Sequence, residues 1–181
     1  MALAQVFLGL GSNRRRYHHI AAGLRALHQE FASAGKPLRV ARVYESEAIG
    51  FAGNDFLNTV VQLQTELSIG DLSKACKAIE RAHGHPSSAA KYSPRTLDID
   101  VLLYNQEVCE TPVQLPRAEI LHNAFVLRPL AELAAELEHP VAGKSFAQLW
   151  QNYRSEQRLH AVDFKFEDLP YLITPTDNKD S

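Results

Sequence analysis

Ser93-Pro94-Arg95-Thr96-Leu97-Asp98-Ile99-Asp100-Val101-Leu102-Leu103-Tyr104 is the stretch around which the chain is organised. Pro94 blocks a helix. Residues two apart on a strand share a face, so a strand here puts Asp98 and Asp100 on one side and Leu97, Ile99 and Val101 on the other. Beyond Asp100 the run is apolar on both faces, as expected of a strand buried in a sheet. Two carboxylates sharing a face repel each other unless a cation lies between them. Hard oxygen ligands of this kind suit Mg²⁺, which is usually held by one or two carboxylates plus substrate phosphates. Arg95 opens the segment with a planar fork that suits phosphate. The pattern fits a metal-dependent phosphoryl-transfer site. It also fits an ordinary exposed strand end, and spacing alone leaves both open.

Upstream, His85 to Tyr92 is small and polar and reads as a loop leading into this strand, either a lid or a plain surface connection. Before it, Leu72, Ala75, Cys76 and Ile79 line one face of a helix that Asp71 can cap and that stops near Gly84. Phe56 to Leu67 alternates from Val61 onward and reads as a strand with one wet face, antiparallel to a second strand over Leu38 to Ser46. Ile49 to Asn54 is a glycine-containing loop. Ile20, Leu24, Leu27 and Phe31 form one stripe of a helix from Tyr17 to Phe31. Gln5 to Leu10 reads as a first strand, stopped by Gly11-Ser12-Asn13. The run Arg14-Arg15-Arg16 suits either a phosphate grip or a solvated helix start.

Downstream, Asn105-Gln106 is a turn, after which Glu107-Val108-Cys109 is expected to pair back on the preceding strand. Pro112 to Pro116 is an extended connector. Phe125 to Leu137 is a helix interrupted at Pro129, and Ser145 to Tyr153 is a short helix. An edge strand is expected beyond Arg158, and Thr174 to Ser181 is polar and expected to be disordered. The order strand, helix, strand, strand, helix, strand is that of an α+β, ferredoxin-like split βαβ sandwich, an antiparallel sheet with helices packed on it, here with a C-terminal helical extension. One domain is expected over residues 1–160, with a tail over 161–181.

At 181 residues and 45% hydrophobic content the chain can build a real core. A net charge of −2 points to neither nucleic acid nor an anionic membrane. No apolar run approaches the roughly 20 residues that span a bilayer. The two cysteines, Cys76 and Cys109, have no ligand spacing and read as free thiols of a reducing compartment. With no basic n-region at the N-terminus, a cytoplasmic protein is expected.

Several collinear motifs carry a resemblance. They are Leu8-Gly9-Leu10-Gly11-Ser12-Asn13, Tyr44-Glu45-Ser46, Phe56-Leu57-Asn58, Ile79-Glu80, Pro94-Arg95-Thr96-Leu97-Asp98-Ile99-Asp100-Val101-Leu102 and Phe125-Val126-Leu127-Arg128-Pro129-Leu130. From about Val6 to about Leu137 the chain resembles the 6-hydroxymethyl-7,8-dihydropterin pyrophosphokinase family of folate biosynthesis. The resemblance implies an ATP-dependent transfer of pyrophosphate to the hydroxymethyl group of 6-hydroxymethyl-7,8-dihydropterin. It implies two Mg²⁺ ions bridging ATP to Asp98 and Asp100, and catalytic roles for Arg95, Asp98 and Asp100. Ser46, Ile49, Phe56, Asn58 and Phe125 would hold the pterin, with Phe125 stacking on it and Asn58 reading its hydrogen-bonding edge. Glu80, Arg95, Val101 and Arg117 would lie on the nucleotide.

The chain departs from the family in its cationic positions. Gly84-His85 stands for Gly-Arg, and Ser87 and Ser88 stand at basic positions. Only Lys91 remains there, with Tyr92 where the family often has Trp. Pro116-Arg117-Ala118 replaces Pro-His, and Asn123 replaces an arginine. Each lost cationic contact is worth on the order of 1.5–3 kcal/mol, so a weakened activity is one expectation. A non-catalytic pterin-binding relative, or a metal- and nucleotide-binding enzyme with another acceptor, are the alternatives.

Overall fold

The computed structural model of the chain describes residues 2–47, 55–84 and 96–175. Among these, seven strands share one sheet. They are β1 (Ala4–Ser12), β2 (Leu38–Val40), β3 (Tyr44–Ser46), β4 (Phe56–Thr65), β5 (Asp98–Tyr104), β6 (Leu159–Ala161) and β7 (Leu172–Ile173). The strand order is β5-β1-β4-β2-β7, with β3 also on β4 and carrying β6 on its far side. The helices are α1 (Arg16–Phe31), α2 (Ile69–Ala82), α3 (Ala124–Leu133) and α4 (Phe146–Gln151). The expected loop over Ile49 to Asn54, the segment His85 to Tyr92, Arg95 and the last residues of the expected disordered end lie outside the described residues.

Four local expectations change. The strand expected over Leu38 to Ser46 is two strands. Val40 pairs with Val61 and Tyr44 with Asn58, so Ala41, Arg42 and Val43 face only Thr59 and Val60. One residue too many on one side breaks the ladder in the manner of a bulge. The cap of α2 is Ser68, whose extended backbone lets Oγ accept from the Asp71 N–H at 3.2 Å. Asp71 instead sits in the first turn, where its charge suits the helix dipole. Cys109 pairs with Leu115, not with β5, because the connector between them doubles back. Finally, the sheet is mixed, since β7 runs parallel to β2.

Helices cover both faces of the sheet. On one face Val6, Leu8 and Leu10 of β1 join Val61 and Leu63 of β4, Ile99 and Val101 of β5, and the inner residues of α1 and α2. On the other, Phe7, Val60, Leu102 and Leu103 meet α3 and Phe146. A bulge explains the two-sided apolar run of β5. Leu8 pairs with Val101 but Phe7 with Leu103, which leaves Leu102 as the extra residue. Leu102 and Leu103 therefore both serve the α3 face, and Tyr104 returns to the α1 face. Past β6, Val162, Phe164, Phe166 and Leu169 pack against α1's side of the core, and Leu172 is buried in it.

Tyr44 is fully buried, and Arg128 lies over its ring at 4.9 Å. Its hydroxyl has no hydrogen-bond partner. An unpaired buried hydroxyl is a cost of about 1–3 kcal/mol. Tyr44→Phe keeps the ring and removes that cost, so chemical denaturation should show the variant at least as stable as the parent chain. A fall of about 1 kcal/mol or more would show that the hydroxyl is satisfied in solution.

Candidate active site

β5 is an edge strand of the sheet. Its aspartates are half-exposed while Leu97 and Ile99 between and before them are buried. The expected division of faces is therefore present. β1 pairs with β5 on one side and with β4 on the other. Gly11 is in register with both Asp98 and Asn58, and Gly9 with Asp100 and Val60. Directly paired residues of antiparallel strands project from the same face, which here is the face of Phe7, Val60 and α3. With strands about 4.8 Å apart, the backbones of Asp98 and Asn58 are about 10 Å apart. The strand between them offers two glycines and no side chain. The Leu102 side chain lies over Gly9 and the Asn58 amide over Gly11, so this face carries two carboxylates on one side of β1 and an amide on the other.

The amide bank is built from β3 and β4. Ser46 pairs with Phe56, and Tyr44 with Asn58. The buried Asn58 donates from Nδ2 to Ser46 Oγ at 2.9 Å. Its Oδ1 lies where a Cβ on Gly11 would stand, 2.9 Å away. Gly11 is thus the residue that lets the Asn58 side chain lie across β1. Phe125, in the first turn of α3, is half-buried on this same face.

The family model for 7,8-dihydro-6-hydroxymethylpterin-pyrophosphokinase matches residues 7–135. The chain is 35% identical to the 2-amino-4-hydroxy-6-hydroxymethyldihydropteridine pyrophosphokinase of Aquifex aeolicus over 145 residues, 78% of this chain and 88% of that one. It is 34% identical to the Bacillus subtilis enzyme of the same name, over 73% of this chain and 79% of that one. The chain belongs to this pyrophosphokinase family. The crystal structure of wild-type Plasmodium falciparum HPPK-DHPS with pterin and p-hydroxybenzoate shares its fold, with a TM-score of 0.62 at 14% identity. That likeness covers 84% of this chain but 43% of the longer one.

Of the residues that family resemblance singled out, the structure brings Ser46, Phe56 and Asn58 together on one ladder, with Asp98 and Asp100 across β1 from them. Arg95 and Ile49 lie outside the described residues. Val101 is buried in the main core. Arg117 follows the outer edge of β5, its N–H donating to the Leu102 carbonyl at 3.0 Å. Its Nη2 is 3.7 Å from Asp100 Oδ1 and 3.0 Å from Glu119 Oε1. Its buried Nε has no partner, which leaves a donor to spare.

Glu80 is 2% exposed and reaches β5 from the last turn of α2. Its Oε1 accepts the Ile99 N–H at 2.7 Å, and Lys77 Nζ lies 3.3 Å from the carboxylate. The backbone group it satisfies is the one between the two aspartates. Burial, aided by the Glu80 charge, pushes the nearby Cys76 thiol up to about 12, so this cysteine stays protonated and inert at neutral pH. Of the arginine run, Arg16 starts α1, pairs with Glu45 and donates to the Asp55 carbonyl at 3.1 Å. Arg15 and Arg16 line an open cavity of about 540 Å³ with Asn13, Tyr17, His18 and Asp55.

Sequence reasoning takes Gly11 as a turn residue and misses that Gly9 and Gly11 let Leu102 and Asn58 lie over β1. The signal is the spacing Gly9-x-Gly11 inside a strand, where glycine marks a close approach.

Two predictions follow from this geometry. Glu80→Ala leaves the buried Ile99 N–H unpaired and should cost about 1–3 kcal/mol in a urea titration; an unchanged midpoint would mean that water replaces the carboxylate. Gly11→Ala collides with Asn58 and should lower stability by about 1 kcal/mol or more. Asn58→Ala makes room for the added methyl, so the double variant should be no less stable than Asn58→Ala alone, a coupling readable from a double-mutant cycle.

Proposed function

We propose that this chain transfers the pyrophosphate of ATP to the hydroxymethyl group of 6-hydroxymethyl-7,8-dihydropterin, the folate-pathway reaction of its family. The observation that carries the assignment to particular residues is the register Asp98–Gly11–Asn58 across β5, β1 and β4. It sets an acidic bank and a hydrogen-bonding bank on one face, two strand spacings apart on either side of the glycines of β1. In this reading the pterin lies on the Ser46, Phe56 and Asn58 bank with Ile49 and Phe125, and the nucleotide lies towards Asp98, Asp100, Arg95 and Arg117; the Val101 side chain, buried on the opposite face, does not reach it. The order β5-β1-β4-β2 supports reading the sheet as a ferredoxin-like split βαβ unit, with α3 and α4 added on its second face. A cytoplasmic location suits two free cysteines. No helix among the described residues is long and apolar enough to cross a membrane.

In the reaction the substrate hydroxyl oxygen forms a bond to the β-phosphorus of ATP. The bond from that phosphorus to the oxygen of the α-phosphate breaks, AMP leaves, and the hydroxyl proton is lost to solvent. Such transfers need positioning and charge neutralisation more than covalent help. Asn58 and Ser46 orient the acceptor ring by hydrogen bonds, and Phe125 covers it. Asp98 and Asp100 fit Mg²⁺: they are paired, half-exposed, hard-oxygen donors on one face, and a cation already stands beside Asp100. Among the described residues no third His, Cys, Asp or Glu joins them, which suits an ion completed by phosphates and water. Bound there, Mg²⁺ would neutralise the charge of the phosphates.

Arg117 supplies a cation on the nucleotide side where the family carries a histidine. Its half-buried guanidinium reaches the acidic pair through Nη2, and at 3.7 Å its hold on Asp100 is loose enough to be exchanged for a phosphate oxygen. Glu80 serves the nucleotide side through the strand it anchors.

An assay of AMP release with ATP, Mg²⁺ and the pterin tests this assignment. Asp98→Ala should lower kcat/KM by about a hundredfold or more, while pterin binding in the absence of nucleotide is retained. Arg117→Ala should raise KM for ATP about tenfold or more and leave pterin affinity alone. AMP release that survives Asp98→Ala would refute the metal assignment.

A further inference from the structure

The match to the family ends at residue 135, yet the chain beyond it touches both the start of α3 and β3 on the amide side of the site. The first turn of α3, which carries Phe125, is not capped by its own side chain. Asn123 stands at the N-cap position with extended backbone and makes no capping bond. An Asn there would ordinarily satisfy one of the helix's free N–H groups. Its Oδ1 is instead occupied, accepting from Gln157 Nε2 at 3.2 Å. Gln157 Oε1 in turn accepts the Ala124 N–H at 2.7 Å. One amide from the C-terminal segment thus caps the helix from outside and holds the residue before it.

Neighbouring contacts fix that amide in place. The Tyr153 hydroxyl donates to the His122 carbonyl at 2.7 Å and lies 3.4 Å from Gln157 Oε1. The Gln157 N–H donates to Ser155 Oγ at 3.1 Å. The same segment then enters β6, where Leu159 pairs with Ser46 and Ala161 with Tyr44. From Tyr153 to Ala161 the chain therefore ties the start of α3 to β3, the strand whose Ser46 holds Asn58.

We infer that Gln157 is a positioning residue for the pterin: its side-chain amide sets the first turn of α3, and so places Phe125 relative to the Ser46–Asn58 pair. This rests on the placement of the pterin proposed above. Gln157 touches neither the aspartates nor Arg117 among the bonds described for it, so its effect falls on the acceptor and not on ATP.

Equilibrium binding of the pterin by fluorescence, together with AMP-release kinetics, tests the inference on the full chain. Gln157→Leu keeps the bulk and removes both bonds. It should raise Kd and KM for the pterin about five- to tenfold and leave KM for ATP and kcat at saturating pterin unchanged. Gln157→Glu keeps the acceptor for Ala124, and the Asn123 amide can turn to donate to it, so this variant should restore pterin affinity. If Gln157→Leu does not fold, Gln157→Asn, which draws the amide back by one methylene, is measured in its place. Unchanged pterin affinity in the variant, or equal losses for pterin and ATP, would overturn the role of Gln157 alone. A parent chain that binds no pterin would sink the functional assignment together with it.

Discussion

The site depends on where the side chains of β1 are missing. β1 is the strand between the acidic edge and the amide-bearing β4, and at the two positions in register with Asp100 and Asp98 it has only hydrogen. Any Cβ at Gly11 would meet the Asn58 amide. Register makes this arrangement all-or-none. A slip of one residue would turn every side chain of a strand to the opposite face, sending the aspartates into the core and exposing Leu97 and Ile99. The large apolar cluster under α1 and α2 prevents that slip, because Val6, Leu8 and Leu10 are all buried in it. The stability of one face thus secures the geometry of the other.

Electrostatics around β5 follow the same division. As an edge strand it has backbone groups without strand partners on its outer side. Glu80 satisfies Ile99 from the α2 side, and the Arg117 segment satisfies the Leu102 carbonyl. Both partners bring charge as well as a hydrogen bond. Glu80's charge is balanced by Lys77, and Arg117 shares its own between Asp100 and Glu119. The acidic bank is therefore supported without drawing its cation so close that it would be locked there: 3.7 Å is long for a charge-assisted bond.

Much of this was legible in the sequence. The alternation of Leu97, Ile99 and Val101 against Asp98 and Asp100 needs only the period of a strand. The stripe of α1 and the Ser46, Phe56 and Asn58 motifs also survive intact, because local pattern and tertiary packing agree there. Expectations shifted where a long-range partner chose between equal local options. Ser68 and Asp71 are both good capping types, and backbone geometry selects the serine. Leu38 to Ser46 reads as one strand until β4 imposes a ladder that is one residue shorter. Cys109 had an apolar neighbour on either side of the turn and took Leu115. Nothing local marks Gln157, a polar residue in a polar stretch, as the cap of a helix more than thirty positions earlier in the chain.

By itself the sequence determined the family, the acidic pair and its shared face, since these follow from motif identity and from a period of two. Tertiary structure alone decided what lies opposite that pair and what holds each wall. Those contacts join residues far apart in the chain, through ladders whose register is chosen by the burial of the whole sheet.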